Sequence, residues 1–181
     1  THYRECGMNL QPYGLQNHLI KLQPLKESDF EQLYQVASDP AIWEQHPQKE
    51  RYRREVFQTF FDGAMQSGGA FLVLDKVTGQ AIGSSRYYDY NEAEKTIAIG
   101  YTFLSKAYWG GTYNGALKQL MLAYIFQYVD AVVLHIGPHN IRSQKAALKI
   151  GAHKKEGTFF NADGEERWEY VIDKSEFIKK A

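Results

Sequence analysis

Tyr108-Trp109-Gly110-Gly111-Thr112-Tyr113-Asn114-Gly115 leaves a run rich in β-branched and aromatic residues, Lys95 to Phe103, and opens a long amphipathic helix, Thr112 to Val129. Two adjacent glycines let the backbone approach a ligand and turn its amides inward. The helix start adds N–H groups without intrahelical acceptors and a partial positive charge. That combination suits a pyrophosphate. The same residues would also serve as a plain glycine-rich connection, so the segment alone leaves both readings open. Two phosphate motifs are excluded: the spacing is not Gly-x-Gly-x-x-Gly, and no Lys-Ser or Lys-Thr pair follows Gly115.

Upstream, His18 to Leu25 alternates apolar and polar residues and predicts a first strand. Ser28 with Glu31 reads as a capping box for a helix whose apolar stripe is Phe30, Leu33, Tyr34 and Val36, closed by Ser38-Asp39-Pro40. A second helix, about Glu50 to Met65, carries Val56, Phe57, Phe60 and Phe61 and ends at Gly68-Gly69. Ala70 to Leu74, Ala81 to Tyr90 and Lys95 to Phe103 then form an antiparallel meander across Thr78-Gly79 and Asn91-Glu92. Downstream, the buried strand Ala131 to Ile136 and the helix Ile141 to Ile150 precede two strands, His153 to Asn161 and Glu166 to Ile172, joined through Ala162-Asp163-Gly164. This order predicts an α+β fold with a mixed, mostly antiparallel sheet flanked by helices. At 181 residues the chain fits one domain, 18–181, preceded by an N-terminal extension, 1–17.

A second segment, Gly137-Pro138-His139-Asn140-Ile141-Arg142-Ser143-Gln144-Lys145-Ala146-Ala147-Leu148-Lys149-Ile150-Gly151, follows the glycine loop in order. Together the two resemble the GNAT superfamily of N-acetyltransferases. In particular they resemble the branch of ribosomal-protein N-terminal acetyltransferases, with its Asn-x-x-Ser helix ending in Lys-x-Gly. The resemblance runs from about Leu19 to Ile172 and includes the strands Gly83 to Arg86 and Ile99 to Phe103. It implies the GNAT fold and acetyl-CoA as cosubstrate, the pantetheine arm lying beside the strand end at Phe103 and Leu104. The pyrophosphate would lie over the loop Trp109, Gly110, Gly111, Thr112, Tyr113, Asn114 and Gly115. Asn140 would hydrogen-bond the pantetheine, and Ser143 would face the thioester sulfur. The loop departs from the family pattern at Trp109, usually arginine or glutamine, at Thr112, usually glycine, and at Asn114. A narrower branch with a Trp-Gly-Gly-x-Tyr-Asn loop is the nearer match.

The implied chemistry is direct attack of a neutral amine on the thioester, with positioning and charge stabilisation as the protein's main task. Ser143, or failing it Tyr101, would hydrogen-bond the departing thiolate. The acceptor, a small-molecule or peptide amine, would lie between the Pro40 to Glu50 connection and the strand end Arg86 to Tyr90. Candidate contacts are Trp43, His46, Arg86 and Tyr88, in a region that also holds Tyr52, Tyr87 and Tyr90. Scattered tyrosines serve equally as core, and Asn140 after Pro138 is a good helix N-cap whatever the function. Ala98 and Ala116 stand where the branch often has acids, which leaves His46 as the candidate general base, because imidazole titrates near neutrality.

With 21 basic and 21 acidic residues, no global field favours nucleic acid, and no apolar run is long enough to span a bilayer. The lone Cys6 forms no internal disulfide and suits the cytoplasm, while six scattered histidines offer no metal-ligand spacing. Composition does not choose between monomer and homodimer. A catalytically silent acyl-CoA-binding module and a nucleotide-binding module stay open as alternatives.

Overall fold

The computed structural model describes residues 7–161 and 164–180. In chain order the elements are β1 (Ile20–Pro24), α1 (Phe30–Ala37), α2 (Arg54–Ser67), β2 (Ala70–Asp75), β3 (Ala81–Asn91) and β4 (Thr96–Leu104). Then come α3 (Tyr113–Ile125), β5 (Ala131–Ile136), α4 (Ile141–Lys149), β6 (His153–Lys154), β7 (Phe159–Phe160), β8 (Glu166–Asp173) and α5 (Lys174–Lys180). The strands line up as β1-β2-β3-β4-β5-β8-β6, with β7 on β8. All neighbours are antiparallel except β4 and β5, so the sheet is mixed and mostly antiparallel, as the sequence predicts.

Alternation along β2 sorts the core onto two faces. Phe71 and Val73 join Ile97, Ile99, Leu117, Met121 and Ile125 under α3, whereas Ala70 and Leu72 join Leu33, Phe57, Phe60 and Phe61 under α1 and α2. Met8 and Leu10, ahead of β1, are buried on the α3 face. Among the described residues, no helix is long and apolar enough to cross a membrane.

Several boundaries differ from the sequence reading. The Ser28 to Glu31 capping box does not form: Asp29 Oδ2 accepts the Lys26 N–H at 2.9 Å, and Glu31 instead pairs with Arg54 of α2. A carboxylate one residue later met the free amide first. The helix predicted from Glu50 begins at Arg54, because 50–53 form a turn whose Tyr52 carbonyl accepts the Tyr34 hydroxyl at 2.6 Å. The strand predicted from His153 to Asn161 is two short pieces interrupted around Gly157, whose φ of 94° no strand accommodates. Helix α5 was not predicted; its Phe177 packs on Phe126 at 5.2 Å. Cys6, Ala162 and Asp163 lie outside the described residues.

Two features of β4 shape the open end of the sheet. Its pairing with β5 covers only Thr96 to Ala98, opposite Ala131 to Val133, so the β5-facing edge of β4 from Ile99 onward has no strand partner among the described residues. Its pairing with β3 shifts between Ser84↔Phe103 and Arg86↔Gly100, a bulge at which Tyr101 takes φ 53°. The bulge turns Tyr101 to the α2 face. Across that pair Gly83 approaches so closely that a Cβ there would come within 2.0 Å of the Phe103 carbonyl oxygen.

Candidate active site

The glycine loop is held at both ends and open in its middle. Tyr108 donates its hydroxyl to Asp75 at 2.7 Å and packs its ring edge-on to Tyr113, while Trp109 Nε1 donates to the Leu104 carbonyl at 2.8 Å. Gly110 has φ 73°, which only glycine adopts cheaply. A Cβ at Gly110, Gly111 or Gly115 would meet no atom within 4 Å. Thr112, at the start of α3, makes no side-chain cap, and the first N–H returned to the helix is that of Ala116, bonded to the Thr112 carbonyl. The amides of Tyr113, Asn114 and Gly115 therefore face outward at the positive end of α3.

Helix α4 starts beside this loop. Asn140, 5% exposed, caps it by accepting the Ser143 N–H at 3.3 Å, and its carboxamide nitrogen finds no partner among the described residues. Gln144 Nε2 donates to the carbonyls of Gly137 and Pro138, fixing the turn that presents Asn140 and Ser143. Gln45 accepts the Arg142 N–H at 3.0 Å, and the Arg142 guanidinium lies 3.8 Å from the Trp109 ring centre. Three segments distant in sequence, 42–47, 109–115 and 140–143, thus meet at the open end of β4 and β5.

Not every candidate reaches that opening. Trp43 is 1% exposed, donates Nε1 to the Ala37 carbonyl and packs against Phe103 and Phe60, so it supports the site from within the core rather than lining it. Tyr87 is likewise core, with its hydroxyl on the Met121 carbonyl. Phe103 and Leu104 bury their side chains and offer only backbone, and the Leu104 carbonyl is already engaged by Trp109. His46 packs edge-on against Trp43 at 5.0 Å, and burial together with Arg51, Arg142 and Arg167 holds its pKa down to about 3. That leaves the imidazole neutral but only weakly basic near pH 7, which weighs against the general-base role the sequence suggested.

A different histidine is better arranged. The Tyr88 hydroxyl reaches from β3 over Gly100 of β4 to lie 2.9 Å from His135 Nδ1 on β5, and His135 Nε2 lies 3.4 Å from the Glu169 carboxylate on β8. The His135 ring stacks on Phe159 at 4.7 Å. Tyr88 rests against Gly100 and Tyr101 and has its pKa raised, chiefly by burial. A Tyr-His-Glu chain therefore runs from the β4 bulge towards the outer strand. Sequence reading missed His135 because nothing local marks it; 47 residues separate it from Tyr88.

Two buried basic side chains flank β4. Lys118 on α3 is 8% exposed, and its Nζ donates at 2.6 Å to Thr102 Oγ1, which is 2.8 Å from Ser85 Oγ. Burial lowers its pKa to about 7. The sequence carried a hint, since Lys118 interrupts the otherwise apolar stripe of Leu117, Met121, Leu122 and Ile125. On the opposite face Arg86 is 6% exposed, with its guanidinium 3.5 Å from the Tyr101 ring centre and 5.2 Å from that of Phe60.

The acetyltransferase (GNAT) domain model matches residues 20–153. Among solved structures, a GCN5-related N-acetyltransferase from Brucella melitensis superposes with a TM-score of 0.78 at 18% identity, covering 90% of this chain and 79% of that one. The acetyltransferase (GNAT family) from Bacillus anthracis gives 0.72 at 20% identity, covering 89% and 98%. The spermidine N-acetyltransferase from Vibrio cholerae, solved with CoA and spermine, gives 0.68 at 15% identity, covering 90% and 99%. These identities establish a common fold and no more. No curated protein matches the sequence.

Proposed function

Because this chain belongs to the GNAT acetyltransferase family, whose domain spans residues 20–153, we propose that it transfers the acetyl group of acetyl-CoA to an amine. The observation that carries the reading is the unpaired edge of β4 beyond Ala98, ending beside an open, uncapped glycine-rich helix start. A free strand edge can bond an amide-containing arm as a further strand would, while outward amides at Gly110 to Gly115 suit a pyrophosphate. The Asn140 carboxamide nitrogen is available to the arm.

In this proposal the acceptor amine loses a proton and attacks the thioester carbonyl. The C–N bond forms, the C–S bond breaks, and the sulfur leaves as thiolate hydrogen-bonded by Ser143; the second amine proton, acidic once the C–N bond has formed, passes to the sulfur through that hydroxyl. Tyr88 passes the amine proton to His135 Nδ1, and Glu169 stabilises the charge that appears on the ring. Buried Trp43, Phe57 and Phe60 keep the Phe103 backbone in place as the acyl platform. Ligand binding and turnover test the reading. CoA at a hundredfold its Kd adds about 2.7 kcal/mol, roughly 5–10 °C in melting temperature for a chain of this size. Acetyl-CoA should then release free thiol with an amine panel. Absence of both the shift and the release would overturn the assignment.

A further inference from the structure

Beside the β4 bulge lies a cleft of about 370 Å³, lined by Gly63, Arg86, Tyr88, Asp89 and Tyr101 among others. Its volume suits a small molecule or the first residues of a peptide. Arg86 points into it from β3. Although only 6% exposed, it has no carboxylate within ion-pairing distance and no hydrogen bond among the described residues; its contacts are the rings of Tyr101 and Phe60. Burial and the nearby Arg51 lower its pKa only to about 10, so it carries a full charge at neutral pH. Holding such a charge without a counter-ion is unfavourable, and the cost is offset when a ligand supplies one. Asp89, the carboxylate on the rim, is exposed and makes no ion pair with Arg86. The surroundings add to the positive field: Arg51 also lies over the Phe60 ring, at 5.0 Å, and Arg51, Arg142 and Arg167 all bear on His46.

We infer that the acceptor is an amine that also carries a carboxylate, which Arg86 binds within this cleft, and that polyamines are poor acceptors. The inference rests on the acetyltransferase reading and names its substrate class. A planar guanidinium held against the rings of Tyr101 and Phe60 offers the carboxylate paired N–H donors with little entropy left to lose.

Acceptors matched except for an amide in place of the carboxylate, compared at equal concentrations of neutral amine, test it: phenylalanine against phenylalaninamide, 4-aminobutyrate against 4-aminobutyramide, and Ala-Glu-amide against Ala-Gln-amide, with spermidine as the cation. Two quantities are read, thiol release from acetyl-CoA and melting of the CoA-loaded protein. The carboxylate member of at least one pair should be favoured roughly ten- to a hundredfold, the range of a charge-assisted hydrogen bond. The winning pair tells a free amino acid from an acidic peptide. Arg86→Gln should abolish the preference and Arg86→Lys should keep part of it, with the CoA-induced melting shift unchanged in both. Gly63→Ala provides a variant that keeps the fold, because its methyl would come within 3.3 Å of Arg86 Nη1 while alanine favours the helix; it should reduce the preference. Preference for spermidine or for the neutral members, no preference in any pair, or a preference that survives Arg86→Gln would overturn the inference. Failure of the acetyltransferase reading is separately visible as no CoA-induced shift and no thiol release with any amine.

Discussion

Replacing Lys118 by methionine should stabilise the protein, by an amount that depends on pH. Lys118 is buried under β4, its one polar partner among the described residues is Thr102, and burial alone lowers its pKa from 10.5 to about 7. At about 1.4 kcal/mol per unit, the folded protein at pH 7 bears a penalty on the order of 5 kcal/mol for deprotonating or desolvating this amine. Methionine of similar length removes the penalty and forfeits one hydrogen bond worth about 1 kcal/mol. A gain of a few kcal/mol is therefore expected at pH 6–7. The folded pKa lies below the unfolded one, so between about 7 and 10.5 the unfolded chain binds the extra proton, and wild-type stability rises with pH. The advantage of Lys118→Met should shrink by about 1.4 kcal/mol per unit across that window, vanishing near pH 10. Urea unfolding of both proteins from pH 6 to 10 measures it directly. A difference that does not change with pH, or a Lys118→Met protein several kcal/mol less stable at pH 7, would refute the buried, unpaired assignment.

Gly83→Ala should be among the most damaging single changes, costing about 3 kcal/mol or more in urea unfolding, since its Cβ would collide with the Phe103 carbonyl and part β3 from β4. Gly111→Ala should fold normally, because open space surrounds the site, yet weaken CoA in a titration; unchanged affinity would move the pyrophosphate elsewhere. His135→Asn should lower kcat about a hundredfold or more while leaving CoA affinity intact, as expected for loss of a proton acceptor, and a near-normal rate would exclude the Tyr88 path. His46→Gln should leave the rate profile between pH 6 and 8 unchanged. It should also remove an acid-side loss of stability, because a folded pKa of about 3 against 6.5 unfolded makes the wild type weaken as pH falls below about 6.5.

The glycine loop, the meander and the cap at Asn140 were readable from sequence because each is encoded within a few residues: a φ that only glycine tolerates, an alternation of two, a side chain reaching its own helix start. The same locality explains a smaller error: Ser28 to Glu31 fits the capping-box spacing, but Asp29 accepts the Lys26 amide instead. The sequence also held Lys118 in an apolar stripe, though not its reason. Tertiary structure decided the rest. Tyr101 at φ 53° has no sequence signature, because the bulge arises from the pairing of β3 with β4. Alternation shows that Arg86 and Tyr87 face opposite sides of the sheet, but only the packed helices make one side a cleft and the other core. The basicity of His46 is set by its burial and then by the positive charge of residues 51, 142 and 167, and Tyr88 meets His135 only where the sheet brings them together over Gly100 of β4. Turns, caps and alternation are set by near neighbours along the chain; strand bulges, and the ionisation and accessibility of a side chain, depend on neighbours in space, which the fold alone assembles.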